Sequence, residues 1–375
     1  MRVEQRLWQP SRGWRVVGGE SKIAAGLVLF FASPGTLDDG TRFAELKSHY
    51  PGATLIGCTT GGEIMDIDVH DGSVAATAIE FDKTKLRFSE CRVDSHITSF
   101  EAGVRLAAGL PREGLRGVFL LSDGTRVNGT GLVAGIQQIL GRDVQLTGGL
   151  AGDGARFGTT RVGLNANPEP GRIVAVGFYG EGIRIGSGSL GGWDAVGPER
   201  VITRSEGNTL FDLDGMPALD LYKQYLGAEA ANLPASALLF PLSIHPKGHP
   251  EASLVRTVVG VDESRKAMIF AGTIPEGHVA HIMLGNFDEL IAGAGRAAEK
   301  AAIPGAKLAI LVSCIGRKLL LGQRIADEVE AVSEVLGGDC RTTGFYSYGE
   351  IAPMELSAVS DLHNQTMTIT TLAEA

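Results

Sequence analysis

Three glycine-rich segments contain the residue types that could bind a small polar ligand. The segments are GCTTGGEI (57–64), GGLAGDG (148–154) and GFYSYGEI (344–351). Each could expose backbone N–H groups, and each carries one carboxylate: Glu63, Asp153 or Glu350. N–H groups can bind a ligand carboxylate, and an acidic side chain can bind an ammonium group. The alternative is structural: the glycines permit tight turns, and Glu63 and Glu350 accept local N–H bonds.

The flanking sequence places these segments in a repeated unit. An apolar run precedes each of them, at 25–33, 117–124 and 307–314. Between each apolar run and its glycine-rich segment lies a stretch with the periodicity of an amphipathic helix. A β-rich run follows each glycine-rich segment. We interpret the three strand–loop–helix–Gly-turn units as duplications of one α/β unit. Hairpins intervene, so the expected fold class is α/β (mixed α+β), with mixed sheets flanked by helices.

The chain is long enough for two domains that each bury a core. It has 375 residues, and its composition changes near 204–218. We predict a tail or opening strand at 1–21, a first domain at 22–215 and a second at 216–375.

Composition disfavours several classes of protein. The net charge of −9 disfavours a nucleic-acid partner, which requires a basic surface. The sequence contains no run of eighteen apolar residues, so no membrane-spanning helix is predicted. Four scattered cysteines are too few for a disulfide framework, and the N-terminal segment lacks the apolar core of a secretory signal. We therefore expect a cytoplasmic protein with no membrane partner.

Two cysteines could act as nucleophiles in a thiol-dependent hydrolase or transferase. Cys58 and Cys314 follow apolar runs, but no histidine accompanies either one to form the thiolate. A small buried thiol is the favoured interpretation, and we expect no enzyme and no catalytic residues.

The histidines give no convincing metal site. His245 and His249 each precede a proline, which disfavours a helix, and His278 and His281 would face opposite sides of a strand. No metal site is therefore expected. His245 and His363 remain candidates for an axial haem ligand, since haem needs only one or two ligands, and each could equally be a structural histidine.

Arg317 follows the third apolar run, beside Ser313 and Cys314. Its guanidinium could bind a ligand carboxylate through two parallel hydrogen bonds. The structural alternative is an ion pair, with Glu350 as the expected partner.

Six short segments together resemble the FIST family, which has a FIST N-terminal and a FIST C-terminal domain. They are GCTTGGEI, GGLAGDG, DLDGMPALDLY, PEGHV, SCIGR…LG and GFYSYGEI…LHNQT. The resemblance covers about residues 22–370. It implies a sensory module of signal transduction that binds a small molecule, with amino acids as the suggested ligands.

The resemblance also bears on cofactor and partner. A stand-alone bacterial subset of the family is described as haem-binding nitric-oxide sensors that regulate histidine kinases, so haem is an alternative cofactor and such a kinase a candidate partner. We expect this chain to signal through a separate protein. The ligand would lie within one domain or between the two. The candidate ligand-binding residues are Thr59, Thr60, Glu63, Gly152, Asp153, Arg317, Tyr346, Tyr348 and Glu350.

Overall fold

The computed structural model describes residues 1–94, 96–233, 235–354 and 359–375. Within these ranges no helix is both long enough and apolar enough to cross a membrane. The described α-helices are α1 (Thr41–His49), α2 (Ser99–Ala108), α3 (Gly129–Leu140), α4 (Ala218–Leu226), α5 (Phe287–Ala301), α6 (Ile315–Leu321) and α7 (Ile325–Leu336).

Strands are numbered in chain order. They are β1 (Arg2–Gln9), β2 (Gly13–Gly19), β3 (Leu27–Ala32), β4 (Thr54–Thr59), β5 (Glu63–Met65), β6 (Asp68–His70), β7 (Val74–Glu80), β8 (Lys85–Arg92), β9 (Leu115–Ser122), β10 (Gln145–Leu150), β11 (Val162–Leu164), β12 (Arg172–Tyr179), β13 (Ile183–Leu190), β14 (Trp193–Glu206), β15 (Thr209–Leu213), β16 (Met216–Pro217), β17 (Leu242–Pro246), β18 (Leu254–Arg256), β19 (Val258–Asp262), β20 (Ala267–Phe270), β21 (His278–Gly285), β22 (Leu308–Cys314), β23 (Arg341–Ser347), β24 (Gly349–Pro353), β25 (Ser360–His363) and β26 (Met367–Glu374).

Three units share one strand order. The first unit contains β4-β3-β7-β1, the second β10-β9-β12-β8 and the third β23-β22-β26-β13. In each unit the first two strands are parallel and are joined through a helix, whereas the remaining pairs are antiparallel. The predicted mixed α/β fold with flanking helices is therefore confirmed.

Local sequence signals explain the central strands and several helix ends. Every residue of Leu27–Ala32 and of Leu308–Cys314 is buried, as expected for strands covered on both faces. Thr98 and Glu101 form a reciprocal capping box at the start of α2. Gly227 follows the last residue of α4 with a positive φ of 55°, which ends that helix.

The units exchange strands in a closed ring. Strand β5 of the first unit pairs with β23 of the third, β24 of the third pairs with β10 of the second, and β11 of the second pairs with β4 of the first. Phe31 and Phe345 stack between the first and third units, with ring centroids 4.7 Å apart. Residues 1–215 and 216–375 thus contribute strands to three common sheets, and their division into two domains stays a prediction.

A further sheet is inserted between β13 and α5. Its strand order is β18-β17-β21-β14-β15-β20-β19, with β16 paired to β15, and α4 packs against it in a separate hydrophobic cluster. This insertion lines the cleft described below.

The first glycine of each glycine-rich segment is required by close packing inside the sheet. A Cβ on Gly148 would lie 1.9 Å from the carbonyl oxygen of Leu120, and a Cβ on Gly344 would lie 1.9 Å from that of Leu311. At Gly57 the corresponding distance to a carbonyl oxygen of β3 is 2.4 Å. One steric requirement therefore explains why this glycine recurs in all three units.

We predict that Gly344→Ala lowers the free energy of unfolding by about 2–3 kcal/mol or more, because backbone atoms must move to admit the methyl group. Gly295→Ala on α5 is the matched control, since its nearest atoms would lie 3.9 Å away, and alanine favours a helix by about 0.5–1 kcal/mol. Urea unfolding monitored by circular dichroism measures both. Equal midpoints for the two variants would contradict the steric explanation.

Candidate functional site

The three glycine-rich turns contact one another directly at the centre of the ring. The N–H of Gly61 donates to the carbonyl of Tyr346 at 2.7 Å, and the N–H of Gly152 donates to that of Thr59 at 2.9 Å. A Cβ on Gly152 would lie 3.0 Å from the nitrogen of Gly61 and 3.1 Å from the Tyr346 oxygen. The turns therefore converge, and the amides of Gly61 and Gly152 bind neighbouring turns.

Glu63 is buried at the end of the first turn and accepts hydrogen bonds from three hydroxyl groups. Thr60 Oγ1 donates at 2.6 Å, Ser73 Oγ at 2.6 Å and Ser33 Oγ at 2.9 Å. Ser33 follows β3 and Ser73 precedes β7, so the carboxyl group joins the turn to two loops of its own unit. This arrangement matches the structural interpretation of Glu63.

The other two units contain an equivalent carboxyl group. Glu350 accepts from Ser347 Oγ at 2.6 Å and from Thr366 Oγ1 at 3.0 Å. In the second unit the equivalent carboxyl group is that of Asp123, which accepts a hydrogen bond from the N–H of Gly171 at 2.7 Å. We did not identify Asp123 from the sequence, because it lies before the helix and not in the glycine-rich segment.

Arg317 pairs with Glu328, so the predicted pair with Glu350 is wrong. The Nε and Nη2 atoms of Arg317 donate to Glu328 Oε2 at 3.0 and 2.8 Å, and Tyr346 Oη donates to Oε1 at 2.8 Å. Arg317, Glu328 and Tyr346 have no exposed surface. The short helix α6 turns Arg317 toward the buried face of α7. A glutamate within the apolar stripe of α7 was the signal available in the sequence.

Asp153 and Tyr348 connect the second turn to the third. Tyr348 Oη donates to Asp153 Oδ1, and the N–H groups of Gly158 and Thr159 donate to Oδ2 at 3.0 and 2.9 Å. The Tyr348 ring stacks on Phe157 with centroids 4.5 Å apart. Burial and the Asp153 carboxylate raise the pKa of the Tyr348 phenol, which therefore stays protonated as a donor.

Two cavities lie on either side of this Asp153–Tyr348 contact. The turn pocket, of about 320 Å³, is lined by Ser33, Pro34, Gly35, Thr60, Gly61, Asp71, Asp153, Gly154, Ala155 and Arg156. The cleft, of about 430 Å³, is lined by Gly124, Thr125, Arg126, Val127, Asn128, Leu150, Phe157, Tyr348 and, from the inserted sheet and its neighbouring turns, Asn208, Val259, Phe270 and Ala271.

The structure separates the predicted site residues into two groups. Those at or beside a cavity are Thr60, Gly152, Asp153 and Tyr348. Those that are buried and line neither cavity are Thr59, Glu63, Arg317, Tyr346 and Glu350. Phe157 and Arg126 were missed. An aromatic residue just after GGLAGDG was the sequence signal for Phe157, which adopts a positive φ of 49°.

Comparison with known families decides the family of the chain. The FIST N domain matches residues 26–216, and the FIST C domain matches residues 218–353. The chain belongs to the FIST family. FIST domains are sensory domains of signal transduction.

More distant comparisons add little to this assignment of the FIST chain. No curated protein matches it. A crystal structure of cyanuric acid hydrolase from A. caulinodans is similar over 94% of this chain and 90% of that one, with 8% identity and a TM-score of 0.35. A similarity of this size supports no conclusion about fold or activity.

His245 and His363 remain candidates for a haem ligand, and each imidazole contacts a backbone carbonyl in this FIST structure. His245 Nδ1 contacts the Pro246 carbonyl at 2.9 Å, and its Nε2 lies 3.7 Å from Glu199 Oε1. His363 Nε2 contacts the carbonyl of Ala352 at 3.1 Å. Neither imidazole lines the cleft or the turn pocket. Among the residues described, no group of three or more His, Cys, Asp or Glu side chains could hold a metal ion.

The cysteines are buried thiols. Cys58 and Cys314 have at most 3% of their surface exposed. Burial raises the pKa of the Cys58 thiol well above its usual range, and Glu63 adds to this shift. Burial likewise raises the pKa of Cys314 to about 12. A nucleophilic cysteine needs the opposite shift, so the geometry gives no support to thiol catalysis.

Two central carboxyl groups have strongly shifted acidities. Burial raises the pKa of Glu63 to about 7 and that of Glu350 to about 8, although the neighbouring hydroxyl groups oppose the shift. At these two carboxyl groups the folded chain therefore binds more protons than the unfolded chain between about pH 4.5 and 8. The resulting stabilisation is complete below the unfolded pKa and is lost as the pH rises through 7 and 8.

We predict that iodoacetamide leaves Cys58 and Cys314 unmodified at about pH 8, where an exposed thiol of pKa about 8.5 reacts readily. Unfolding in urea should expose both thiols to labelling, which peptide mass spectrometry can assign. Modification of either cysteine in the folded protein at the rate of a free thiol would restore the enzyme hypothesis.

We also predict that Glu63 and Glu350 lower the melting temperature as the pH rises through about 7 and 8, because both lose protons there in the folded state. Below about pH 6.5 the lowered pKa values of His49, His70 and His363 act in the opposite direction. The double variant Glu63→Gln/Glu350→Gln should melt at a temperature that depends less on pH. Glu113→Gln changes an exposed side chain and serves as the control. A double variant whose pH profile parallels that of the wild type would contradict the assignment.

Proposed function

We propose that this FIST protein is a small-ligand sensor whose ligand binds in the cleft and whose signal passes to a separate partner protein. The volume of about 430 Å³ falls within the range of small-molecule sites. Asn208 lines the cleft from the segment that matches the FIST N domain, and Phe270 from the FIST C segment. A ligand there would contact both segments.

The observation that carries this proposal is the contact between Tyr348 and Asp153. The Tyr348 ring lines the cleft and its hydroxyl donates to Asp153, which lines the turn pocket. A ligand that packs against the ring would shift the balance between two positions of this side chain. The resulting change at Asp153 would link ligand binding to the arrangement of the turns.

The chemistry of the cleft favours a small molecule with both polar and apolar parts. Phe157 and Tyr348 offer an aromatic surface, and Asn128 and Asn208 offer amide groups. Arg126 is the only formally charged residue among the described lining residues. Amino acids and other small carboxylates are therefore the first ligands to test. A histidine kinase, which the family resemblance implies, is the first partner to test.

We assign different roles to the predicted site residues. Tyr348 contacts the ligand, and Asp153, Gly152 and Thr60 transmit its effect through the second and first turns. The buried residues Thr59, Glu63, Arg317, Tyr346 and Glu350 support the ring without touching the ligand.

We predict that Phe157→Ala weakens ligand binding about tenfold, because it removes half of the aromatic stack. A thermal-shift screen of amino acids, small carboxylates and haemin identifies the ligand, since binding to the folded state raises the melting temperature. Calorimetry then compares Phe157→Ala with Phe287→Ala. The two side chains are 42% and 43% exposed, and Phe287 lies outside the cleft.

A second variant separates binding from signalling. Tyr348→Phe keeps the ring, so ligand affinity should change by less than about threefold, whereas ligand-dependent hydrogen-exchange protection of residues 153–161 should disappear. Equal affinity for Phe157→Ala and wild type would place the ligand elsewhere. Unchanged protection in Tyr348→Phe would remove the Asp153 contact from the signalling route.

A further inference from the structure

A buried arginine that has no acidic partner among the described residues lies at a separate cavity. Arg256, at the end of β18, is 2% exposed. Its Nη1 donates to the carbonyls of Leu362 at 2.8 Å and Val255 at 3.4 Å, and its Nε donates to that of Thr273 at 3.3 Å. Across the described ranges, no hydrogen bond of Arg256 uses Nη2 and no carboxylate forms an ion pair with it.

The cost of burying the positive charge of Arg256 is not offset by any described carboxylate. A guanidinium group stays protonated in proteins, and burying a cation is costly unless an anion pairs with it. Burial lowers the pKa of Arg256, and the charge of Asp361 only partly opposes this effect. Arg317 is a buried arginine with a counter-ion, because two of its nitrogens donate to the Glu328 carboxylate. No described residue forms such an ion pair with Arg256.

The cavity beside Arg256 has a second polar atom that lacks a partner. Its volume is about 270 Å³. Thr130, on α3, lines it, and the buried Oγ1 of this residue has no hydrogen-bond partner in the described structure. The walls are mainly apolar and include Ile244, Leu254 and Pro275. The cavity therefore combines a cation, a hydroxyl group and a larger apolar surface.

The Arg256 side chain is also held in place by its neighbours. A Cβ on Gly272 would lie 2.9 Å from Arg256 Nε and 3.2 Å from Cδ, so the backbone of Gly272 packs directly on the side chain. A pre-positioned guanidinium loses little freedom when an anion binds, which favours affinity.

We propose that this cavity binds a small monocarboxylate with an apolar tail. The carboxylate pairs with Arg256 and accepts a hydrogen bond from Thr130, while the tail packs against Ile244, Leu254 and Pro275. Asp361 also lines the cavity, and its Oδ1 accepts the N–H of Leu362 at 2.6 Å. The acidic group of Asp361 in the cavity disfavours a dianion such as a phosphomonoester. This site is separate from the cleft and does not depend on the function proposed above.

The test uses the full chain and four probes that share a branched apolar tail. The probes are 4-methylpentanoate, the neutral 4-methylpentan-1-ol, leucine and 3-methylbutyl phosphate. Calorimetry should detect 4-methylpentanoate as the strongest binder, because it supplies one negative charge and no ammonium group. The alcohol lacks the charge that Arg256 requires, and the phosphate would meet Asp361.

Three variants locate the binding. Arg256→Met should weaken 4-methylpentanoate binding at least about tenfold, because the charge-assisted bonds are lost. Thr130→Val keeps the shape and removes one neutral donor, so affinity should fall about three- to tenfold without loss of folding. The exposed Arg87 on β8 lies outside both cavities, and Arg87→Met is the matched control with unchanged affinity.

Several results would overturn the proposal. They are absence of 4-methylpentanoate binding at millimolar concentration, equal binding of the alcohol, tighter binding of leucine or the phosphate, and wild-type affinity in Thr130→Val. If Arg256→Met does not fold, Thr130→Val decides the question. Weakening by Phe157→Ala and not by Thr130→Val would place the probe in the cleft, which overturns this site and supports the function proposed above.

Discussion

Direct backbone contact between the three glycine-rich turns is the constraint on which the rest of the structure depends. The turns of Gly61 and Gly152 donate N–H groups to carbonyls of neighbouring segments, at distances of 2.7 and 2.9 Å. Such contact requires that side chains be absent at the point of approach. It also brings the ends of three sheets together, so that each unit can add a strand to another. The ring therefore closes through hydrogen bonds that no unit could form by itself.

This closure restricts where a ligand can bind. The amides at the centre already have partners, and the Glu63 and Glu350 carboxyl groups are saturated by hydroxyl and N–H donors. Polar groups with complete hydrogen bonding gain nothing from a ligand. The available surface lies in the turn pocket and in the cleft where Tyr348 and Phe157 meet the inserted sheet. The residues that build the ring are thus distinct from those that we propose to contact a ligand.

The features that depend on residues close in the chain could be predicted from the sequence. The contacts that form only when the three units associate in the ring could not. Apolar runs and helix periodicity revealed three units, and the Thr98–Glu101 capping box is present at α2. The partner of Arg317 could not be deduced in the same way. It depends on the direction of α6 and on which face of α7 is buried, and neither follows from spacing. Phe157 and Arg126 share a cleft only because the inserted sheet closes over them.

Arg317 and Arg256 are both buried, but they differ in whether a described carboxylate neutralises the charge. Arg317 is surrounded by the Glu328 carboxylate and two carbonyls, so its guanidinium is neutralised within the fold. Arg256 is also removed from water, but among the described residues only carbonyl oxygens accept its hydrogen bonds, and a cavity adjoins it. Carbonyl dipoles neutralise a full charge less completely than a carboxylate does. The free-energy cost of desolvating the guanidinium is therefore offset by a carboxylate at Arg317. At Arg256 no described carboxylate offsets it, and an anion bound from outside the chain would do so.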